Sequence, residues 1–242
     1  MKEKTVGDAA RYRRSVRIYD TEKPIDTTIV KKCIEQAVLS PSSSNMQLWE
    51  FYHITSSEKL KQVAQACFNQ PAARTAQQLV VAVVRKDLWR ERIKDNVENL
   101  KTGFEKQKNS NPKREKGALN YYQKTVFSIY TNYLRFLDIF KYWIVQIKGI
   151  SKPIYREIRK SDVRVIAHKS AALASQSFML SMAGFSYDTC PMEGFDSSRI
   201  KKILNIPQNT EISMVIGCGI RKPEGVYGDR FRIPFEKVYF EK

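Results

Sequence analysis

The sequence predicts an α+β fold on three grounds. Runs of aromatic and β-branched residues at 49–55, 79–84 and 212–216 read as strands, and the last two are apolar enough to be buried. Between and around them lie segments whose apolar residues recur at helical spacing. Finally, 242 residues, 42% of them hydrophobic, suffice for one sizeable core, so residues 1–242 read as a single domain with a helical insert at about 86–165.

The elements follow in order. Residues 5–14 read as a short helix ending in a basic cluster. Asp26 then caps a helix whose stripe, Val30, Cys33, Ile34, Ala37 and Val38, stops before Pro41. After the strand at 49–55, residues 57–67 return to a helical pattern that precedes the strand at 79–84. Residues 106–116 are polar and contain Asn109-Ser110-Asn111-Pro112, which reads as a breaker and predicts a loop between two helices. Val126, Tyr130, Tyr133, Leu137, Phe140, Ile144 and Ile147 alternate steps of four and three, predicting one long amphipathic helix. Twelve of the 27 aromatic residues fall within 86–165, so the insert has an apolar face to bury. Small and apolar residues at 166–184 predict a tightly packed helix, and residues 197–204 a shorter one.

Charge and cysteine content narrow the function classes. The net charge is +17, and 19 Lys and Arg against 9 Asp and Glu lie within 86–165, outside the motifs described below. A basic surface of this kind suits nucleic acid, anionic lipid or an acidic cofactor. Cys33, Cys67, Cys190 and Cys218 show no C-x-x-C or metal spacing, which predicts reduced thiols in a cytoplasmic protein. Neither a signal peptide nor a membrane span is expected: Arg135, Asp138, Lys141 and Lys148 interrupt the longest apolar helix.

Four strings carry chemistry. Arg13-Arg14-Ser15-Val16-Arg17 gathers guanidiniums and a hydroxyl that suit a multiply charged oxyanion. Pro41-Ser42-Ser43-Ser44-Asn45-Met46-Gln47-Leu48-Trp49 is a small polar loop running into a strand, Cys190-Pro191-Met192-Glu193-Gly194-Phe195-Asp196 follows far downstream, and Asp229-Arg230-Phe231-Arg232-Ile233-Pro234 lies near the end. Singly, each has a plain reading: a solvated basic face, a turn, or a strand with both arginines on one side.

In this order the strings closely resemble the flavin-dependent nitroreductase family, over about residues 9–85 and 162–240. The resemblance implies a three-layer α/β/α sandwich around a mixed, mostly antiparallel sheet. It implies FMN as cofactor, NADH or NADPH as reductant, and ping-pong hydride transfer to nitroaromatic, quinone or similar flat small-molecule acceptors. By the family pattern Arg13, Ser15, Arg230 and Arg232 hold the phosphate end, with Arg14 beside them, and Arg17 lies by the flavin pyrimidine. Pro191, Met192, Glu193 and Gly194 form the loop whose main-chain N–H groups reach N5 and O4, so Glu193 and Gly194 act through the backbone. Asn69 matches the amide partner of the pyrimidine edge. Ala72 stands where several relatives carry a base, so either Arg74 compensates or the site is less cationic than usual. Pro41, Ser42, Ser43, Asn45 and Gln47 reach the flavin of the other subunit, which implies a homodimer with interfacial sites.

The same fold also serves reductive dehalogenation and flavin fragmentation, and a basic nucleic-acid or membrane-surface module is the reading from another class, although no nucleic-acid partner is expected. The insert is expected to pack on the dimer and roof part of the flavin pocket, with peripheral membrane contact as the alternative. Gly217-Cys218-Gly219 lacks the third glycine of a dinucleotide turn and reads as a strand ending. His53 and His168 show no metal-ligand spacing, so no metal is expected.

Overall fold

Every residue from 78 to 84 is buried, as a strand covered on both faces requires. The computed structural model describes residues 3–107, 111–131 and 135–242. It contains strands β1 (Trp49–Ile54), β2 (Gln78–Val84), β3 (Asp188–Met192) and β4 (Glu211–Gly219), in the order β1-β2-β4-β3. Each neighbouring pair is antiparallel. An isolated parallel bridge from Ser15 to Thr189 lays the arginine segment along β3 and makes the pairing mixed.

Alternation along β2 builds the three layers. Leu79, Val81 and Val83 join a core with α3 (Ser57–Ala66), α4 (Pro71–Arg74) and α10 (Ser197–Ile203). Val80 and, from β4, Ile216 and Cys218 join the opposite core with α2 (Thr27–Ala37) and α9 (Lys160–Gly184). The helix starts match their capping residues: Asp26 accepts from the Thr28 N–H, Ser56 from Lys59 and Asp196 from Arg199. α1 (Val6–Tyr12) begins at Thr5, whose side chain accepts from the Asp8 N–H.

Three elements differ from expectation. The stripe from 126 to 147 is not one helix. A π-helical turn over Tyr121–Val126 and α7 (Phe127–Tyr130) end at Thr131, whose ψ of 125° is extended, and α8 (Arg135–Ser151) is separate. Val126 and Tyr130 are buried against Trp89, whereas Phe140, Ile144 and Ile147 are exposed; Tyr133 and the Leu137 side chain fall outside the described residues. Alternating steps of four and three cannot reveal such a break, because two successive helices satisfy them equally. The expected loop at 106–116 is shorter, since Pro112 starts a helix. It occupies the first turn of α6 (Pro112–Asn120), where its missing N–H costs nothing, with Asn111 capping. The Cys190-Pro191-Met192 part of its string is strand rather than loop, and proline is tolerated there because β3 is the sheet edge.

Close backbone contacts fix the arginine segment on this frame. A side chain on Gly217 would meet the Ala72 carbonyl oxygen at 2.5 Å, and one on Gly219 would meet the Tyr19 ring at 2.7 Å. Tyr19, fully buried, donates its hydroxyl to the Gly217 carbonyl at 2.9 Å. Arg17 N–H bonds the Gly225 carbonyl at 2.6 Å. Buried Asp188 pairs with Arg221, whose Nε donates at 2.8 Å and which also reaches the Tyr12 carbonyl, so β3, α1 and the C-terminal segment are tied together.

Candidate active site

Arginines converge at the end of α1. Arg13, Arg14, Ser15, Arg17, Arg230 and Arg232 line one cavity of about 250 Å³, with Asp229 the single carboxylate among its lining residues. Arg14 donates to the Gly228 carbonyl at 2.9 Å. Arg230 donates to the carbonyls of Ala10, Arg11 and Arg13 at 3.2, 2.8 and 2.6 Å, and so closes the carbonyl end of α1. The pKa of Arg13 is lowered, first by burial, then by the charges of Arg230, Arg232 and Arg14. Such mutual repulsion is relieved by an anion, and the donor set suits a phosphate.

β3 leads away from this cavity, carrying the chain about 10 Å from Thr189 to Met192. Beyond it Glu193 and Gly194 are exposed, and among the described residues neither of their N–H groups has an acceptor within the protein. Gln70, missed by the sequence reading, donates from Nε2 to the Gly194 carbonyl at 2.7 Å and to the Cys67 carbonyl at 3.1 Å. Asn69 is its neighbour, exposed and left-handed at φ 50°, with Phe68 left-handed before it. Cys190 feels the charges of Arg17 and Arg13, which places β3 beside the arginine segment, although burial raises its pKa overall. Ala72 is buried against β4 and Arg74 is exposed.

The Pro41 to Gln47 loop stands apart: none of its residues lines the arginine cavity. Ser44, Asn45 and Gln47 all have φ near +50°, a cost of about 1–3 kcal/mol each that surrounding contacts must offset. Most of those contacts come from the insert. Buried Asn96, on α5 (Trp89–Glu105), donates to the Asn45 carbonyl at 3.1 Å and accepts from Asn45 Nδ2 at 3.0 Å. Tyr122 donates to the Ser44 carbonyl, Tyr121 bonds the Ser44 hydroxyl, and Ser170 accepts from the Ser43 N–H. Ser42 accepts from the Gln47 N–H, and Pro41 is exposed. Asn96 and Tyr122 carry no motif signal, because their roles arise only when the chain folds.

The histidines are engaged elsewhere: His53 with Gln78 at 2.6 Å, and His168 with Glu211 at 3.1 Å. The four cysteines are free, buried thiols, and burial raises the pKa of each.

The molecule is thus a three-layer sandwich with a cationic cavity beside its edge strand, and comparison with known proteins gives its family. The model described as "Nitroreductase family" matches residues 10–220. The chain belongs to the nitroreductase family. It is 27% identical over 244 residues to a Staphylococcus haemolyticus protein provisionally named NAD(P)H nitroreductase, covering 98% of this chain and 96% of that one. Among solved structures, the Bacillus subtilis nitroreductase-named protein YdfN shares the fold with a TM-score of 0.74 at 23% identity, covering 97% of both chains. A provisionally named nitroreductase of Exiguobacterium sibiricum, solved in complex with FMN, has a TM-score of 0.67 at 21% identity, covering 100% of this chain and 99% of that one.

Proposed function

We propose that the protein is an FMN-dependent oxidoreductase that takes hydride from NADH or NADPH and passes it, in a ping-pong cycle, to a nitroaromatic, quinone or similar flat acceptor. The observation that carries this reading is the convergence of five arginines and Ser15 on one cavity, next to a strand end with two unused N–H donors. FMN, when bound, supplies the hydride chemistry at its N5. Arg13, Ser15 and Arg232 hold the phosphate, Arg230 holds it while fixing the end of α1, and Arg14 orders the adjoining segment through Gly228. Arg17 supports negative charge at the pyrimidine edge, and the Glu193 and Gly194 N–H groups donate to the ring. Asn69 and Gln70 bracket that edge, with Gln70 fixing the Gly194 peptide. Pro191 and Met192 set the height of the loop.

The remaining loop, Pro41, Ser42, Ser43, Asn45 and Gln47, serves the site of a second subunit, which makes the working form a homodimer with residues 1–242 as one domain. The unpaired, buried thiols accord with a cytoplasmic setting. Purified protein is expected to be yellow, with about one FMN per chain, to oxidise about one equivalent of NADH or NADPH on its own, and to turn over repeatedly when a quinone or nitroaromatic is added. Colourless protein that neither gains flavin absorbance with added FMN nor oxidises either nucleotide rules the reading out.

A further inference from the structure

Helix α8 is covered on one side by its own chain. Arg156 donates to Gln146 Oε1 at 2.8 Å, the Arg159 guanidinium stacks 3.7 Å over the Tyr142 ring, and a side chain on Gly149 would meet the Arg156 guanidinium at 2.6 Å. The segment after the helix therefore folds back along the Tyr142, Gln146 and Gly149 side. The adjacent side presents Phe140, Trp143, Ile147 and Ile150, which are 68, 60, 63 and 83% exposed. Their steps of three and four put them on one face.

Charge identifies what that face meets. Between residues 135 and 169 nine Lys and Arg stand against three Asp and Glu, in a chain of net charge +17. A second copy applied face to face would bring like charge to like charge, whereas an anionic bilayer offers apolar depth and negative headgroups together. The helix has 17 residues, about 25 Å of rise, and no helix among the described residues is long and apolar enough to cross a membrane. We infer that α8 lies in the plane of an anionic lipid surface, its Phe140, Trp143, Ile147 and Ile150 face at the acyl boundary and Lys148 and Lys152 among the headgroups. None of these residues lines the arginine cavity, and the inference does not depend on the reaction assigned to the flavin site.

The test is co-sedimentation of the full-length, flavin-loaded protein with phosphatidylcholine vesicles prepared with and without phosphatidylserine. Binding is expected only with phosphatidylserine, weakening as salt rises. Of the three tryptophans, Trp49 and Trp89 are buried, so a blue shift on vesicle addition reports Trp143. The variant combining Trp143→Ser, Ile147→Ser and Ile150→Ser should bind at least tenfold more weakly while keeping its flavin and circular dichroism. Absence of binding to the anionic vesicles overturns the proposal, and so does a triple variant that binds as tightly as the parent, because net charge alone would then be responsible. Loss of a higher oligomer in that variant, with no vesicle binding by the parent, also overturns it and assigns the face to another copy.

Discussion

Arg230 and Arg232 stand two residues apart in the sequence but do different work. Arg230 spends its donors on three carbonyls at the end of α1, whereas the recorded bond of Arg232 is to the carbonyl of its neighbour Phe231. Replacing Arg232 by Ala should therefore leave the fold intact and remove one charge-assisted phosphate contact worth about 1.5–3 kcal/mol, lowering FMN affinity about ten- to a hundredfold by fluorescence titration. Arg230→Ala should lower flavin affinity and the melting temperature together; a variant that keeps both would show that neither task is its own. Glu211 offers a second test. Burial raises its pKa, but hydrogen bonds from Lys86, His168 and Arg164 outweigh burial and bring it from 4.5 down to about 2. A carboxyl with a lowered folded pKa contributes stability above its unfolded value, and the contribution is lost as pH falls through the folded one. Between about pH 4.5 and pH 2 the parent should accordingly lose stability faster than Glu211→Gln, with the gap at neutral pH held to about 1 kcal/mol by solvent screening. Denaturation curves with identical pH slopes for the two proteins would contradict this.

The insert and the serine-rich loop act as one element. Three left-handed residues, Ser44, Asn45 and Gln47, persist because Asn96, Tyr121 and Tyr122 bond the loop from α5 and the π-helical turn. Asn96→Ala leaves the Asn45 carbonyl and amide without their buried partner. It should cost about 1–3 kcal/mol in chemical denaturation, and flavin should dissociate faster as the loop loses its shape. A stable variant with unchanged flavin off-rate would sever the loop from the site. The sequence reveals those elements whose signal is local: α2 and α3 follow helical spacing, α9 a run of small and apolar residues, and β1, β2 and β4 runs of aromatic and β-branched residues. It conceals β3, because the resemblance assigns Pro191 and Met192 to a loop and proline fits a strand only at a sheet edge, and it hides the break at Thr131 within an uninterrupted stripe. Site positions show the same division. The arginines stand in two short clusters, 13–17 and 230–232, each visible as a string of its own, and meet in space, whereas Gln70, Asn96 and the Asp188–Arg221 pair are single residues that connect distant segments and leave no motif.

At the scale of the whole molecule, exposed apolar residues gather on the C-terminal segment and on α9 as well as on α8. The segment beyond Val226 leaves Phe231, Ile233, Phe235, Val238, Tyr239 and Phe240 all more than half exposed, and Leu173 and Val165 stand out from α9, the central helix of its layer. Exposed apolar residues in such number suit the interface of the proposed homodimer. The loop carrying Pro41, Ser42 and Asn45 lies outside the arginine cavity of its own chain, which suits the proposed contact with the flavin of a second subunit. Sedimentation velocity should therefore show a dimer that persists at nanomolar concentration, with an interface of more than about 1,000 Å². The double variant Val238→Asp, Phe240→Asp puts two charges into this surface; it should shift the protein toward monomer and release FMN in parallel, because each site would lose residues that only the partner supplies. Full activity from a monomeric variant, or a dissociation curve that leaves bound flavin unchanged, would show instead that each chain builds its site alone and that the serine-rich loop serves another purpose.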